Sequence, residues 1–232
     1  MISLPSAKYA LRNKAPSGKM EWAVPSSGKN KDERRLSGVG FMIKTSIARK
    51  VQNLPVGHSD RIMSLRLPIQ DNKFATVLSV YAPTLQAEIG VKEAFYRDLH
   101  NLLQQVDSNG KLLILGDFNS RVGRDLELWK GVLGRHGTGN CNDNGRLLLE
   151  FCSNISSSSP TPCSTQKNRL KATWRNPRSK HWHLLDYVLT RQHDTRDVHH
   201  TRVMQTATLI IDWYAAKSPL PSSLLPRDKV PK

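Results

Sequence analysis

The 232-residue chain is long enough for one large domain or two small ones, and its 38% hydrophobic content is modest but sufficient for a core. Lys and Arg number 35 against 19 Asp and Glu, a net charge of +16 that favours a phosphate-rich partner, nucleic acid or an anionic membrane face, with a solvated basic surface as the plain alternative. Apolar runs stay short of the roughly 18 residues of a membrane span, the N-terminus lacks a signal-peptide apolar region, and Cys141, Cys152 and Cys163 form no CxxC pair that would suggest a metal or disulfide framework. These features predict a soluble, intracellular chain with no membrane partner, placed in the nucleus rather than the cytoplasm.

Residues 1–36 are rich in Lys, Ser, Pro and Gly and carry no acidic residue before Glu21. They are expected to be an irregular basic segment. Val39–Ile43 then reads as a strand. In Arg61–Leu67, Ile62, Ser64 and Arg66 alternate with Met63, Leu65 and Leu67, which predicts a strand with two distinct faces. Phe74–Tyr81 is a further β-rich run, closed by Ala82-Pro83-Thr84. Val91, Phe95, Leu99, Leu102, Leu103 and Val106 recur at helical spacing, so a helix is expected over 91–106. Lys111–Leu115 reads as a strand, 131–144 as a Gly- and Asn-rich loop, and 145–152 as a short amphipathic helix. Ser153–Lys171 is expected to be a long loop. Lys171–Trp174 and Leu184–Leu189 read as strands, and Val203–Tyr214 as one more. Four prolines after Lys217 predict an unstructured tail. Strands with one clear central helix make an α/β class, and the domain is bounded at 37–214, between a 1–36 segment and a 215–232 tail.

The chemistry concentrates where apolar runs meet carboxylates. In Leu115-Gly116-Asp117-Phe118-Asn119 a buried strand ends in a carboxylate and an amide two residues apart, which an extended chain places on one face. A carboxylate there can act as a base or hold a metal, and an amide can orient a water or a phosphate oxygen. A simple turn is the competing reading. Asp186 interrupts the apolar run Leu184–Leu189, a costly place for a charge unless it is paired, bonded or bound to metal. An edge strand or an ion pair with Arg191 would also account for it. Asp212 ends another apolar run, where a cap or turn is the plain reading. His181, His183, His199 and His200 have spacings that do not suit a structural zinc site. Between Arg169 and His183 the chain interleaves Arg175, Arg178 and Lys180 with Trp174 and Trp182, a pattern suited to phosphates and stacked bases or to an anchored exposed loop.

Seven stretches, in order, carry a family resemblance: GVGFMIK (38–44), RIMSLRLPI (61–69), LSVYAPT (78–84), VKEAFYRDL (91–99), LLILGDFNSRVGRD (112–125), NDNGRLLLEFC (142–152) and ATWRNPRSKHWHLLDYVL (172–189). Together they resemble the endonuclease/exonuclease/phosphatase superfamily, and within it the endonuclease domain of LINE-type (non-LTR) retrotransposons. The resemblance implies a four-layer α/β/β/α sandwich of two mixed β-sheets flanked by helices, and Mg²⁺-dependent hydrolysis of DNA phosphodiester bonds. It implies that Asp117 orients or activates the attacking water, that Asn119 holds a phosphate oxygen or that water, and that Tyr81 contacts the scissile phosphate. Asp186 would position the family's catalytic histidine, and Asp212 would supply the closing catalytic and metal-binding carboxylate. Arg121, Trp174, Arg175, Arg178, Lys180 and His183 would contact the nucleic acid or wall the site.

The chain departs from the pattern at both ends. Before GVGFMIK no equivalent of the family's strand-borne Asn and metal-binding Glu is found, so N-terminal strands are expected to be missing. At the other end the family's Asp-His pair falls on Asp212-Trp213, and the last strand is expected to be missing as well. An indole N–H donates a hydrogen bond but takes no proton near neutral pH. The sequence therefore leaves an impaired DNA endonuclease of retrotransposon origin beside two alternatives, an inactive nucleic-acid-binding module and a degenerate fragment.

Overall fold

A computed structural model describes residues 2–5, 20–23, 38–44, 51–69, 73–125, 129, 139–154, 157–158, 174–175, 179–191, 194, 198–204 and 208–213. The strands are β1 (Ile2–Pro5), β2 (Met20–Ala23), β3 (Phe41–Lys44), β4 (Val56–Gly57), β5 (Ile62–Pro68), β6 (Phe74–Tyr81), β7 (Lys111–Asp117), β8 (Ser157–Ser158), β9 (Trp174–Arg175), β10 (Trp182–His183), β11 (Asp186–Arg191), β12 (Val198–Met204) and β13 (Thr208–Trp213). The helices are α1 (Ile89–Gln104) and α2 (Asp143–Asn154). Among the described residues no helix is long and apolar enough to cross a membrane.

The strands form a six-stranded sheet in the order β4-β5-β6-β7-β11-β8, a five-stranded sheet in the order β12-β13-β1-β3-β2, and the β9–β10 pair. The β6–β7 pair is parallel and the other pairs of the larger sheet are antiparallel. A parallel pair needs a crossover, and α1 supplies it between β6 and β7.

Strand alternation sorts the core into two halves. Leu112 and Ile114 of β7, Leu78 and Val80 of β6 and Leu189 of β11 pack with Phe95, Leu99 and Leu103 of α1 and with Leu148 and Leu149 of α2. The alternate residues Leu113, Leu115, Ala75, Val77 and Val188 pack with Met63, Leu65 and Leu67 of β5 and with Phe41 of β3. The larger sheet thus carries helices on one face and meets the smaller sheet through Phe41 on the other. The two faces expected for 61–67 are the two observed.

Several expectations shift. The helix runs 89–104, with Lys92, Phe95, Leu99 and Leu103 buried, while Val91 faces outward and Val106 follows the helix. A stripe at i, i+3, i+7 and i+11 leaves Val91 one residue off the buried face. Lys92 is buried because its ammonium donates to the Leu85 carbonyl at 2.8 Å. The second helix begins at Asp143, two residues before the sequence signal, because Asn142 caps it: its Oδ1 accepts the Gly145 N–H at 2.8 Å.

The segment expected to be irregular contains β1 and β2, so two N-terminal strands are present. β1 lies between β13 and β3, antiparallel to both. β2 pairs with β3, with Glu21 opposite Ile43. Four-residue strands between Pro- and Ser-rich stretches offer too short a run for alternation to reveal. The sequence signal over 203–214 corresponds to β13, which pairs antiparallel with β12. The remainder of the 1–36 segment and the 215–232 tail lie outside the described residues.

Candidate functional site

The carboxyl ends of β6 and β7 and the start of β11 meet at one edge of the larger sheet. Tyr81 is the register partner of Asp117 across the parallel pair, and Asp186 is its partner across the antiparallel pair. Tyr81, Asp117 and Asp186 share the parity of Val77, Leu115 and Val188, which pack toward the smaller sheet. The three residues therefore form a row at the mouth of the seam between the sheets. Strand ends of α/β sheets are where site residues gather, since the ladder fixes their spacing and the loops leave them accessible. Among the described residues β8 meets β11 only at Thr190 and Arg191, so at Asp186 the strand is paired on its β7 side alone and Asp186 is half-buried. Arg191, its other proposed partner, directs its guanidinium to the carbonyls of Asp107, Ser108 and Gly110 at the opposite end of the strand.

Gly116 is required immediately before the carboxylate. It has φ 153°, and a Cβ there would lie 1.9 Å from the Val80 carbonyl oxygen. The close approach allows β6 and β7 to end side by side. Asp117 is 6% exposed, and its Oδ1 accepts the Asn119 backbone N–H at 2.8 Å. Asn119 lies beyond the strand in the left-handed region, φ 48°, and its side-chain amide donates to the Ala82 carbonyl at 2.8 Å. The two side chains therefore do not simply project in parallel, as an extended chain would have them. The turn chemistry of Asp and Asn itself builds the site, with Asn119 tied to the Tyr81–Pro83 strap.

Beneath this loop lies a layer that the sequence reading missed. Asn144 is 3% exposed, and its Nδ2 donates to the carbonyls of Pro83 and Asn119 at 3.1 Å each. It joins the strap to the Asp117–Asn119 loop. Its Oδ1 is buried without a hydrogen-bond partner among the described residues. Asn142 Oδ1 accepts the Arg121 N–H at 2.9 Å as well as the cap bond, and the Asn142 N–H donates to the Arg121 carbonyl at 3.0 Å. A Cβ on Gly145 would sit 1.9 Å from that same carbonyl. Ser120 donates to the Phe118 carbonyl, and the Tyr187 hydroxyl reaches the carbonyls of Ser120 and Leu184. Burial raises the Tyr187 phenol pKa well above its usual value, so this hydroxyl remains a neutral donor. The available signal was the Asn-Asp-Asn-Gly run at 142–145, whose amides suit capping and loop bonding better than an unstructured loop.

Arg61 was also missed. Its guanidinium donates to the Tyr81 carbonyl at 3.3 Å and lies 5.6 Å from the Tyr81 ring centroid. It adds a fixed positive charge beside the row.

At the rim, β9 and β10 pair so that Trp182 faces Arg175 and His183 faces Trp174. Lys180 and Trp182 are exposed, and His183 and Arg121 are half-buried. The His183 pKa lies below its usual value, first through desolvation and then through the positive charges of Arg121 and His181. The side chains of Trp174 and Arg175 and all of Arg178 lie outside the described residues. Asp212 stands in β13 with its Cα opposite His200, and its side chain is outside them too. The structure thus brings Tyr81, Asp117, Asn119 and Asp186 together, with Arg121 adjoining through the same loop.

Comparison with known proteins gives consistent relationships. The chain is 35% identical over 162 residues to craniofacial development protein 2 of Bos taurus and, equally, to that of Tragulus javanicus, matching 68% of this chain. It spans about a quarter of those relatives, 26% and 27% of their lengths. No family model matches. Among solved structures, the endonuclease domain of TRAS1, a telomere-specific non-LTR retrotransposon, superposes with a TM-score of 0.61 at 11% identity, covering 93% of this chain and 87% of that one. The chain therefore shares the fold of the TRAS1 endonuclease domain, and it is related in sequence to craniofacial development protein 2.

Proposed function

We propose that the chain is a phosphodiester hydrolase domain of the DNA endonuclease kind, of retrotransposon origin, slowed by the loss of a proton-transferring partner. The row of Tyr81, Asp117 and Asp186, with Asn119 locked beside it, carries this reading. In the proposed reaction Asp117 accepts a proton from a water as its oxygen bonds to phosphorus. The bond from phosphorus to the leaving oxygen breaks, and that oxygen takes its proton from solvent. Tyr81 and Asn119 hold non-bridging phosphate oxygens, and Arg61 offsets their charge. Arg121, Trp174, Arg175, Arg178, Lys180 and His183 would steer and hold the DNA strand.

Asp186 would orient an imidazole in the complete family site. With Trp213 at the aligned place, general acid–base help typically worth about 10²–10⁴ in rate is lost. Magnesium is the cofactor this reading expects. Among the described residues no three His, Cys, Asp or Glu side chains gather into a metal-holding group. Mg²⁺ often takes only one or two carboxylates together with waters and substrate phosphate oxygens, and Asp186, the register partner of Asp117, would be one such ligand while Asp117 takes the proton. Asp212 would add the carboxylate that the resemblance assigns to it. The ion, when bound, would neutralise charge on the phosphate.

A second reading, a nucleic-acid-binding module without turnover, is favoured by Trp213 and the net charge of +16. Supercoiled plasmid incubated with the purified chain and Mg²⁺ separates the two. The hydrolase reading expects slow nicking that EDTA stops and that Asp117→Asn, which keeps the oxygen bonded to Asn119, removes. Binding without nicking at any protein concentration would leave the module.

A further inference from the structure

The loop that leaves Asn119 runs through Arg121 into a cavity of about 570 Å³ that the proposed chemistry does not use. Arg124, Asp125, Trp129, Asn140, Cys141 and Arg146 are among the residues that line it. Trp129 is half-buried and packs against the main core while also lining the cavity, so its indole is anchored from behind. Arg124 and Arg146 are both exposed. The volume falls within the range of about 300–1,000 Å³ typical of small-ligand sites. From Asn119 to Arg124 the chain advances five residues, at most about 18 Å. That is at most about five nucleotides of a strand at ~3.4 Å each.

We propose that this cavity is a nucleotide pocket that takes one unpaired deoxynucleotide of the strand whose scissile phosphate lies at Asp117. The inference rests on the nucleic-acid reading above. An anchored indole offers a stacking face to any base, two guanidinium groups suit the flanking phosphates, and Asp125 and Asn140 offer acceptors and an amide to a base edge. None of the pocket's lining residues belongs to the Trp174–His183 rim.

A test that does not depend on turnover uses the Asp117→Asn chain in EDTA with single-stranded 12-mers carrying 2-aminopurine at successive positions. Binding is expected to change the fluorescence of one or two adjacent positions. Trp129→Leu should abolish that change and weaken binding about tenfold, a typical loss for one stacked base. Trp129→Phe, which keeps an aromatic face on the core, should retain it. Arg124→Ala and Arg146→Ala should each lower the slope of log affinity against log salt by about 0.7, the value for one phosphate contact on a single strand. If Trp129→Leu fails to fold, the Phe and Arg variants decide. Binding with no position-dependent fluorescence change, or with slopes unaltered in both Arg variants, would overturn the pocket while leaving the hydrolase reading intact. Failure of the parent chain to bind any 12-mer would overturn the pocket, and plasmid nicking would then decide the hydrolase reading by itself.

Discussion

The loop around Asp117 and the β9–β10 rim belong to the same candidate site but are built on opposite principles. The loop is buried and cross-bonded: Gly116 admits the Val80 carbonyl, Asn119 holds Ala82, and Asn144 ties Pro83 to Asn119. The rim is a two-residue pairing with exposed Lys180 and Trp182. Geometry in the first is set by hydrogen bonds that cannot be lost without unfolding the floor. In the second, charge and aromatic surface stand at the exterior, where a ligand can meet them. Substitutions should therefore separate into those that change stability and those that change affinity.

Gly116→Ala should produce the largest stability loss, about 3 kcal/mol or more, because the new Cβ meets a strand carbonyl that cannot retreat. Urea denaturation would measure it, and plasmid nicking and DNA binding should fall together. Asn144→Ala removes two buried hydrogen bonds and exposes two carbonyls to an emptied space, a loss of about 1–3 kcal/mol. If Asn144→Ala proved neutral, the floor would not be what holds the loop. At the rim, Lys180→Ala should leave stability within about 0.5 kcal/mol of the parent but reduce the salt slope of DNA binding by about 1. A rim substitution that melted the protein would erase the distinction between the two regions.

The smallest expected effect concerns pH. The pKa of His183 is held below its usual 6.5 by desolvation and by Arg121 and His181. The unfolded chain therefore binds the proton more readily, and the contribution of His183 to stability is present above about pH 6.5 and lost as pH falls below it. DNA binding should move the opposite way, since a protonated imidazole adds a positive charge beside the phosphates. His183→Gln should flatten both trends, which urea midpoints and titrations between about pH 7.5 and 5.5 would reveal.

The residues themselves made much of this legible. Alternation in 61–67 and 74–81, together with the apolar run 112–115, located the three strands that frame the site, because period-2 burial marks half-buried sheets. Asp117 and Asn119 stood out as polar groups ending an apolar strand. The positive φ of Asn119 and its bond to Ala82 were not legible, because they depend on a strap 37 residues away in the chain. Asn144 was passed over for a similar reason, since a Gly- and Asn-rich run looks like loop until its amides find carbonyls from distant segments. β1 and β2 were missed because four-residue strands gain their order from β3 and β13 and not from local pattern.

The proposed function places Asp117 at the head of a phosphodiesterase floor that lacks a proton-transferring partner at position 213. Trp213→His tests it most directly, measured as the single-turnover rate of Mg²⁺-dependent plasmid nicking beside the parent chain and the Trp213→His/Asp117→Asn pair. A gain of about 10²-fold or more is expected, and it should vanish when Asp117 is also replaced. A Trp213→His chain that folds and binds DNA but nicks no faster than the parent, or a gain that survives Asp117→Asn, would contradict the proposed function.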